Sequence, residues 1–261
     1  MRRYVSRLST EFHKLLVLGQ YAARSFPSFT RDMLDAENLV LDRALLQSSP
    51  IPRVPPELLK KLRGVEVTLP PRAFLEDGTQ SIEGLYFLAS LAKALNVQQA
   101  FEIGTFTGVT AFTLATNLPH LKIYTLDLPA GDPPSLNIER DDKTFIPLRQ
   151  RRHVFEDRPE GVRIIPLEGD SARFDFSALN QVFDLVYIDG AHSYDYVAND
   201  TEAAFSIVNN SGAIVWDDYL QGWQGLVRYL NERTDLELYL VPDTRLVLWL
   251  SDEAKARLTR S

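Results

Sequence analysis

Residues 100–127 read AFEIGTFTGVTAFTLATNLPHLKIYTLD, and this stretch decides the fold of the chain. An apolar strand leads into a loop with Gly104 and Gly108, a helix pattern follows, and a second strand ends on Asp127. This order is typical of a nucleoside-binding β-α-β unit, in which glycines let the backbone approach the ligand and the carboxylate accepts from ribose hydroxyls. The stretch therefore predicts an α/β fold with a nucleoside site.

The composition narrows the classes of protein that the chain can be. With 261 residues, 45% hydrophobic and 24% charged, it can hold one large α/β domain plus an extension. The net charge of −7 argues against a nucleic-acid-binding protein. The absence of cysteine excludes disulfides, thiolate zinc sites and a cysteine nucleophile, and fits a cytoplasmic location. No apolar run approaches the roughly 18 residues that a membrane span needs.

The N-terminal part differs from the rest of the chain. Residues 1–47 predict helices, and the first 31 residues are basic and poor in acids. Such a start also suits a transit peptide or a membrane-surface helix, but we expect an amphipathic arm that packs on the body or joins a homo-oligomer. Residues 48–56 hold four prolines and predict a linker. We therefore expect a helical arm and linker over residues 1–78 and a ligand-binding catalytic domain over residues 79–261.

Strands and helices alternate through the second part. The predicted strands are short and nearly continuously apolar, which is typical of a buried parallel sheet. They span residues 100–103, 122–126, 162–167, 185–188 and 213–216, and the clearest helices span residues 82–95, 109–117 and 194–208. Two last strands, residues 237–241 and 246–250, are joined by a turn so short that they must be antiparallel. The sequence thus predicts a Rossmann-like, doubly wound sheet of seven strands that ends in an antiparallel hairpin.

The glycine loop discriminates between nucleoside ligands. A dinucleotide site usually has a third glycine, because a pyrophosphate must sit on the helix N-terminus. Here Phe106 separates the only two glycines, and the acidic Glu102 precedes them. A carboxylate is unfavourable near a pyrophosphate but favourable near a sulfonium or ammonium group. The loop therefore favours S-adenosylmethionine.

From about residue 79 to residue 261, the chain resembles class I S-adenosylmethionine-dependent methyltransferases. Residues 102–108 match the first motif of that family, Asp127 matches its ribose-binding acid, and residues 169–171 resemble the turn that meets the adenine, where Asp170 would accept from the exocyclic amine. The closing hairpin is also typical of the family. The resemblance implies S-adenosylmethionine as cofactor, bound by Glu102, Gly104, Thr105, Gly108, Asp127, Leu128, Asp170 and Ser171.

Acidic residues end two predicted strands. Asp189 follows the fourth strand, and Asp217 and Asp218 follow the fifth. Neighbouring parallel strands lie about 4.8 Å apart, so these carboxylates should converge at the ligand-binding edge of the sheet. A hard divalent cation, Mg²⁺ above all, would compensate their repulsion. The three residues are thus predicted metal ligands, although the sequence leaves open which of Asp217 and Asp218 faces the ion, or whether the acids only cap helices.

His192 lies three residues after Asp189, in the same loop. Metal-dependent O-methyltransferases of the catechol and caffeoyl-CoA kind have a lysine at this offset, whereas a histidine resembles the macrocin-type sugar O-methyltransferases. That resemblance implies a metal-assisted O-methyltransferase with Asp189 and His192 as catalytic residues. Histidine titrates near neutral pH and could take the proton of a substrate hydroxyl. A structural helix-capping histidine is the alternative.

Several alternatives stay open at this point. A nicotinamide-dependent oxidoreductase and a non-catalytic cofactor-binding or scaffold protein are the competing functions. Residues 131–161, rich in Pro, Arg and Asp, form either a surface insertion or a lid over the ligand site. The acceptor is a small-molecule hydroxyl, whether on a sugar, a phenol or another natural product.

Overall fold

The computed structural model describes residues 42, 44–75, 78–145 and 152–260. The predicted N-terminal helices lie mostly outside these residues, and so does the predicted oligomer contact through them. Residues 49–261 form one compact unit. The division at residue 78 therefore stays a prediction. Within the described residues, no helix has the length and apolar character to cross a membrane.

One seven-stranded sheet organises the described part of the compact unit. In chain order its strands are β1 (Gln99–Ile103), β2 (Lys122–Asp127), β3 (Ile164–Glu168), β4 (Phe183–Ile188), β5 (Val208–Trp216), β6 (Leu238–Leu240) and β7 (Val247–Leu250). They lie side by side in the order β3-β2-β1-β4-β5-β7-β6. Strands β1 to β5 are parallel to one another, and β7 is antiparallel to both β5 and β6. This confirms the predicted fold class and the antiparallel ending.

Helices cover both faces of the sheet. In chain order they are α1 (Pro56–Lys60), α2 (Ile82–Leu95), α3 (Val109–Asn117), α4 (Asp142–Phe145), α5 (Tyr194–Ile207), α6 (Gln224–Glu232) and α7 (Asp252–Thr259). Helices α2, α3 and α7 pack together on one face, and α5 packs beside α6 on the other. The helix starts follow local chemistry, because Ser81, Ser193 and Ser251 each accept from a backbone N–H three residues on.

Several sequence-based boundaries differ from the structure. The fifth strand begins at Val208 rather than at residue 213, and the fourth begins at Phe183 rather than at residue 185. The third strand begins at Ile164 rather than at residue 162, because Pro159–Arg163 forms a 3-10 turn. The predicted linker, residues 48–56, is bound to the sheet. Val54 N donates to Leu240 O at 2.9 Å, and Leu240 N donates to Pro52 O at 2.7 Å. Backbone pairing thus holds this proline-rich stretch along β6.

The register of the sheet brings the ends of four strands together. Ile103 pairs with Leu126 on one side and with Ile188 on the other, and Ile188 pairs with Trp216. The residues that follow these strand ends therefore share one edge of the sheet. That edge is where open α/β folds bind ligands.

Candidate active site

The glycine loop follows β1 and lies against the loop that follows β4. Gly104 and Gly108 have φ values of 98° and 77°. A Cβ atom on Gly104 would lie 1.9 Å from Asp189 O, so only glycine fits between the two loops. Phe106 also has a positive φ, 47°. The loop is therefore a tight turn that brings backbone to the mouth of the sheet.

Asp127 holds the glycine loop and the end of β2 together. Its carboxylate accepts from Phe106 N at 3.0 Å and from Leu128 N at 2.9 Å. Asp127 and Leu128 both line an open cleft at this edge of the sheet. Of the residues predicted to bind the cofactor, those that line this cleft are Gly104, Asp127, Leu128, Asp170 and Ser171.

Glu102 lies beneath the glycine loop and is 2% exposed. It accepts a hydrogen bond from the Thr125 hydroxyl, and Thr125 Oγ1 lies 2.7 Å from Thr105 Oγ1. Burial raises the pKa of Glu102 to about 8. Glu102, Thr105 and Gly108 are not among the residues that line the cleft. In this structure Glu102 supports the loop from below.

Asp170 follows β3 at the opposite end of the cleft. It accepts from the Tyr196 hydroxyl at 3.0 Å, from Ser135 N at 2.7 Å and from Ala172 N at 3.0 Å. Burial alone would raise the pKa of Asp170, but these hydrogen bonds outweigh it and lower the pKa. The predicted acceptor for an adenine amine is thus already engaged by residues of the chain itself.

Asp189, His192 and Asp218 converge beyond the glycine loop. One ligand atom of each residue lies within 4.8 Å of the others. Asp218, the second residue after the end of β5, has a φ of 59°, and its Oδ2 lies 3.2 Å from His192 Nε2. That nitrogen is buried without a well-aligned hydrogen bond. The carboxylates of Asp189 and Asp218 so arranged fit a divalent cation, and the imidazole nitrogen of His192 lies beside them.

Asp217 does not join this cluster, although the sequence predicts it as a metal ligand. It is 1% exposed, and its Oδ2 accepts from Gln80 Nε2 at 2.6 Å and from the Tyr187 hydroxyl at 2.9 Å. Its Oδ1 accepts from Asp218 N at 2.7 Å. The structure therefore favours Asp218 as the ligand, because Asp217 faces the interior behind it.

Arg245 is a site residue that the sequence analysis did not find. It precedes β7, and its Nε lies 2.8 Å from Asp218 Oδ1 and 3.2 Å from Asp217 Oδ1. Its guanidinium supplies part of the positive charge that the acids require. The pKa of Asp189 nevertheless stays well above its usual range, because of burial and the charges of Asp217 and Asp218.

His192 is held on two sides. Its Nδ1 lies 2.6 Å from Asp142 Oδ1, its backbone N donates to Asp142 Oδ2 at 3.1 Å, and its ring stacks on Trp223 with centroids 4.0 Å apart. Burial lowers the pKa of His192, but the hydrogen bonds and charges of Asp142 and Asp218 outweigh it and raise the pKa to about 10. Asp142 and Trp223 were not found from the sequence, because each lies far along the chain from His192.

The long connection after β2 contributes to the site. Pro134, Ile138 and Asp142 line the cleft. Farther along, Val154 N donates to Thr107 O at 2.9 Å, and the Phe155 ring lies where a Cβ on Gly108 would be. The first part of this connection therefore lines the cleft, and its last part packs against the glycine loop.

Comparison with known proteins agrees with this architecture. Residues 101–219 match a family model described as a methyltransferase domain. The methyltransferase PaMTH1 of Podospora anserina, solved with SAH bound, has a TM-score of 0.50 at 16% identity and covers 85% of this chain and 96% of that chain. No curated protein matches the chain in sequence. At this identity the PaMTH1 structure supports only the fold, whereas the family match indicates a methyltransferase domain.

Two further structures are similar with TM-scores below 0.5. The O-methyltransferase TomG from Streptomyces achromogenes, in complex with SAM, is 19% identical, covers 82% of this chain and 99% of that chain, and has a TM-score of 0.47. The TDP-rhamnose 3'-O-methyltransferase CalS11 is 17% identical, covers 82% of this chain and 93% of that chain, and also has a TM-score of 0.47. From the sheet order and the family match together, we conclude that residues 101–219 of this chain form a methyltransferase domain.

Proposed function

We propose that the protein is an O-methyltransferase that moves the methyl group of S-adenosylmethionine to a hydroxyl of a small molecule, assisted by a divalent cation. The convergence of Asp189, His192 and Asp218 at the edge of the cleft carries this proposal. A methyltransferase that acts on a hydroxyl needs a proton acceptor, and these residues supply both a histidine and two acids beside it.

The cleft suits the cofactor. Gly104 brings backbone close to the ligand, while Asp127 and Asp170 place carboxylates at two points along the cleft. Carboxylates favour the sulfonium and ammonium groups of S-adenosylmethionine. PaMTH1 binds SAH in a related fold, which supports the same ligand class here.

The protein would contribute a base, a cation site and alignment of the two reactants. His192 Nε2 would take the hydroxyl proton, and Asp142 at the opposite ring nitrogen would hold the imidazole. A divalent cation bound by Asp189 and Asp218 would lower the pKa of a bound hydroxyl and offset the negative charge that keeps His192 protonated. The cleft would align the acceptor oxygen with the methyl group.

The competing functions have less support. A nicotinamide-dependent oxidoreductase would need a pyrophosphate site, but the loop has only two glycines, with Phe106 between them. A non-catalytic scaffold does not account for the three converging residues. Sugar, phenol and other natural-product hydroxyls all suit this site as acceptors. The predicted cytoplasmic location and homo-oligomer stay predictions.

Ligand binding tests the proposal. We expect calorimetry to detect binding of S-adenosylmethionine and not of NAD. Manganese binding, measured by electron paramagnetic resonance, should weaken at least about tenfold in Asp218→Asn. Asp217→Asn is the matched control, and it should weaken binding less, because Asp217 faces Gln80 and Tyr187.

A screen of hydroxyl acceptors, with Mg²⁺ and with a chelator, then measures methyl transfer. Binding of NAD in place of S-adenosylmethionine would contradict the proposed cofactor. Manganese binding that is unchanged in Asp218→Asn, or methyl transfer that is unaffected by the chelator, would contradict the proposed cation site.

A further inference from the structure

Asp142 lies outside the motifs that the sequence analysis found, and it forms a buried pair with His192. Asp142 is 6% exposed and His192 is 8% exposed. One carboxylate oxygen of Asp142 meets the Nδ1 atom of the ring at 2.6 Å, and the other accepts from the backbone N of His192 at 3.1 Å. These two contacts from one carboxylate hold both the ring of His192 and the backbone that carries it.

The same pair fixes which nitrogen can act on a substrate. An ionised carboxylate only accepts hydrogen bonds, so Nδ1 must hold a proton in both protonation states of the ring. The Nε2 atom is then left to exchange protons, and it faces Asp218 at 3.2 Å on the side where the acids converge. Stacking on Trp223 leaves the ring little freedom to flip.

Asp142 belongs to a stretch that we call the 134–142 segment, which is bound at both ends of the cleft. At one end Ser135 N donates to Asp170 Oδ2 at 2.7 Å. In the middle Glu139 Oε1 accepts from Gly225 N at 2.9 Å. At the other end stands Asp142. One short segment thus connects the adenine end of the cleft with the histidine.

Gly225 lies at the central contact of the segment, where there is no room for a side chain. A Cβ atom on this residue would lie 2.5 Å from Tyr194 N, 2.7 Å from His192 O and 2.8 Å from Glu139 Oε1. The start of α6, the histidine loop and the 134–142 segment therefore meet at a point with no spare space.

We propose that Asp142 is the positioning residue of His192, and that the 134–142 segment couples coverage of the cofactor cleft to the orientation of the catalytic histidine. This rests on the proposed function for the role of His192 as base. The pairing itself is independent of any ligand. When the segment leaves the cleft, Asp142 leaves with it, and the ring loses its fixed tautomer.

Nuclear magnetic resonance of the ligand-free protein tests the pairing. The chain has four histidines, so ¹⁵N-histidine labelling resolves their ring signals, and His192→Ala assigns the one from His192. We expect a low-field Nδ1–H resonance that moves to higher field in Asp142→Asn, whose amide oxygen still accepts, and disappears in Asp142→Ala. The exposed neighbour gives the control Asp141→Asn, which should leave the resonance in place. An unshifted resonance in Asp142→Asn overturns the assignment, and that variant decides even if Asp142→Ala does not fold.

A second measurement tests the coupling. Glu139 does not line the cleft and does not touch the His192 ring, yet Glu139→Ala removes the central contact of the segment. We expect the dissociation constant for S-adenosylhomocysteine to rise about two- to tenfold, the effect of one lost hydrogen bond, and the His192 resonance to broaden. Asp141→Asn should change neither quantity. If Glu139→Ala also leaves both unchanged, the coupling is refuted. Failure of the wild-type protein to bind this ligand would instead overturn the proposed function, while the ligand-free spectra still decide the role of Asp142.

Discussion

The proposed active site has two halves, one for the cofactor and one for the reaction, and they are built in different ways. The cofactor half consists of the glycine loop, Asp127 and Asp170, and its geometry comes largely from backbone, with three positive φ values within residues 104–108. The reaction half consists of Asp142, Asp189, His192, Asp218 and Arg245, and its geometry comes from side-chain charges. One half depends on where the chain turns, and the other depends on which charges come together.

The halves touch where the glycine loop meets the backbone of Asp189. Because β1 and β4 are neighbours in the sheet, the loops after these strands are also neighbours. Gly104 lies at the contact, and its missing side chain allows both loops to approach. The site is therefore most sensitive to a change at this position.

Gly104→Ala should have the largest effect. The new methyl group would meet Asp189 O at 1.9 Å, so one loop must move, and we expect a loss of about 4 kcal/mol or more in the free energy of unfolding. S-adenosylmethionine binding should be lost as well. Chemical denaturation and calorimetry measure the two effects.

Gly131 offers the matched control. It has a similar φ of 92°, but a Cβ atom there would meet nothing within 4 Å. Gly131→Ala should therefore cost only the left-handed strain, about 1–2 kcal/mol. Equal losses in the two variants would show that backbone strain, rather than contact between the halves, explains the effect at Gly104.

His192→Ala should impair the reaction without impairing cofactor binding. Loss of the base is expected to lower turnover by about 10²–10⁴-fold, while calorimetry should give nearly unchanged affinity for S-adenosylmethionine, because His192 is not among the residues that line the cleft. Turnover is measured on an acceptor from the hydroxyl screen. His120→Ala, in an exposed turn, is the control and should be fully active. Retained turnover in His192→Ala would contradict the proposal that His192 is the base.

The sequence was sufficient for the fold and for the local geometry of the glycine loop. The bounds of α2 and α3 match the predictions, since Ser81 caps α2 and Gly108 begins α3 in a left-handed conformation. Each of these two residues affects the backbone only within a few residues of its own position in the sequence. The same holds for Asp127, whose partners Phe106 and Leu128 lie in the same β-α-β unit.

The reaction half was only partly predictable. Asp189 and His192 share one loop and were found together, whereas Asp142 reaches them from 50 positions away. Arg245 lies in the turn before β7, where a single arginine gives no signal of its own. Asp218, and not Asp217, joins Asp189 and His192, and Asp218 has a φ of 59° that the strand pattern does not contain. Long-range charge pairing is the information that the sequence alone lacked.

Glu102→Gln should produce the smallest change and sharpen the account of the cofactor half. Because the pKa of Glu102 rises from 4.5 to about 8 in the folded protein, the folded state keeps a proton that the unfolded chain releases above pH 4.5. The stability of the wild-type protein should therefore fall as the pH rises from about 4.5 to about 8, and then level off. The variant lacks this titration, so above pH 8 it should gain about 1–3 kcal/mol over the wild type.

Denaturation at pH 5 and at pH 8.5 measures this difference, with Glu168→Gln at the end of β3 as a control at an exposed glutamate. A gain that is the same at both pH values would mean that Glu102 is ionised in the folded protein. Its carboxylate would then carry a negative charge directly under the glycine loop, as the family resemblance implies. A gain that grows with pH would instead make Glu102 a neutral support for Thr125, and Asp127 would be the principal charge on the β2 side of the cleft.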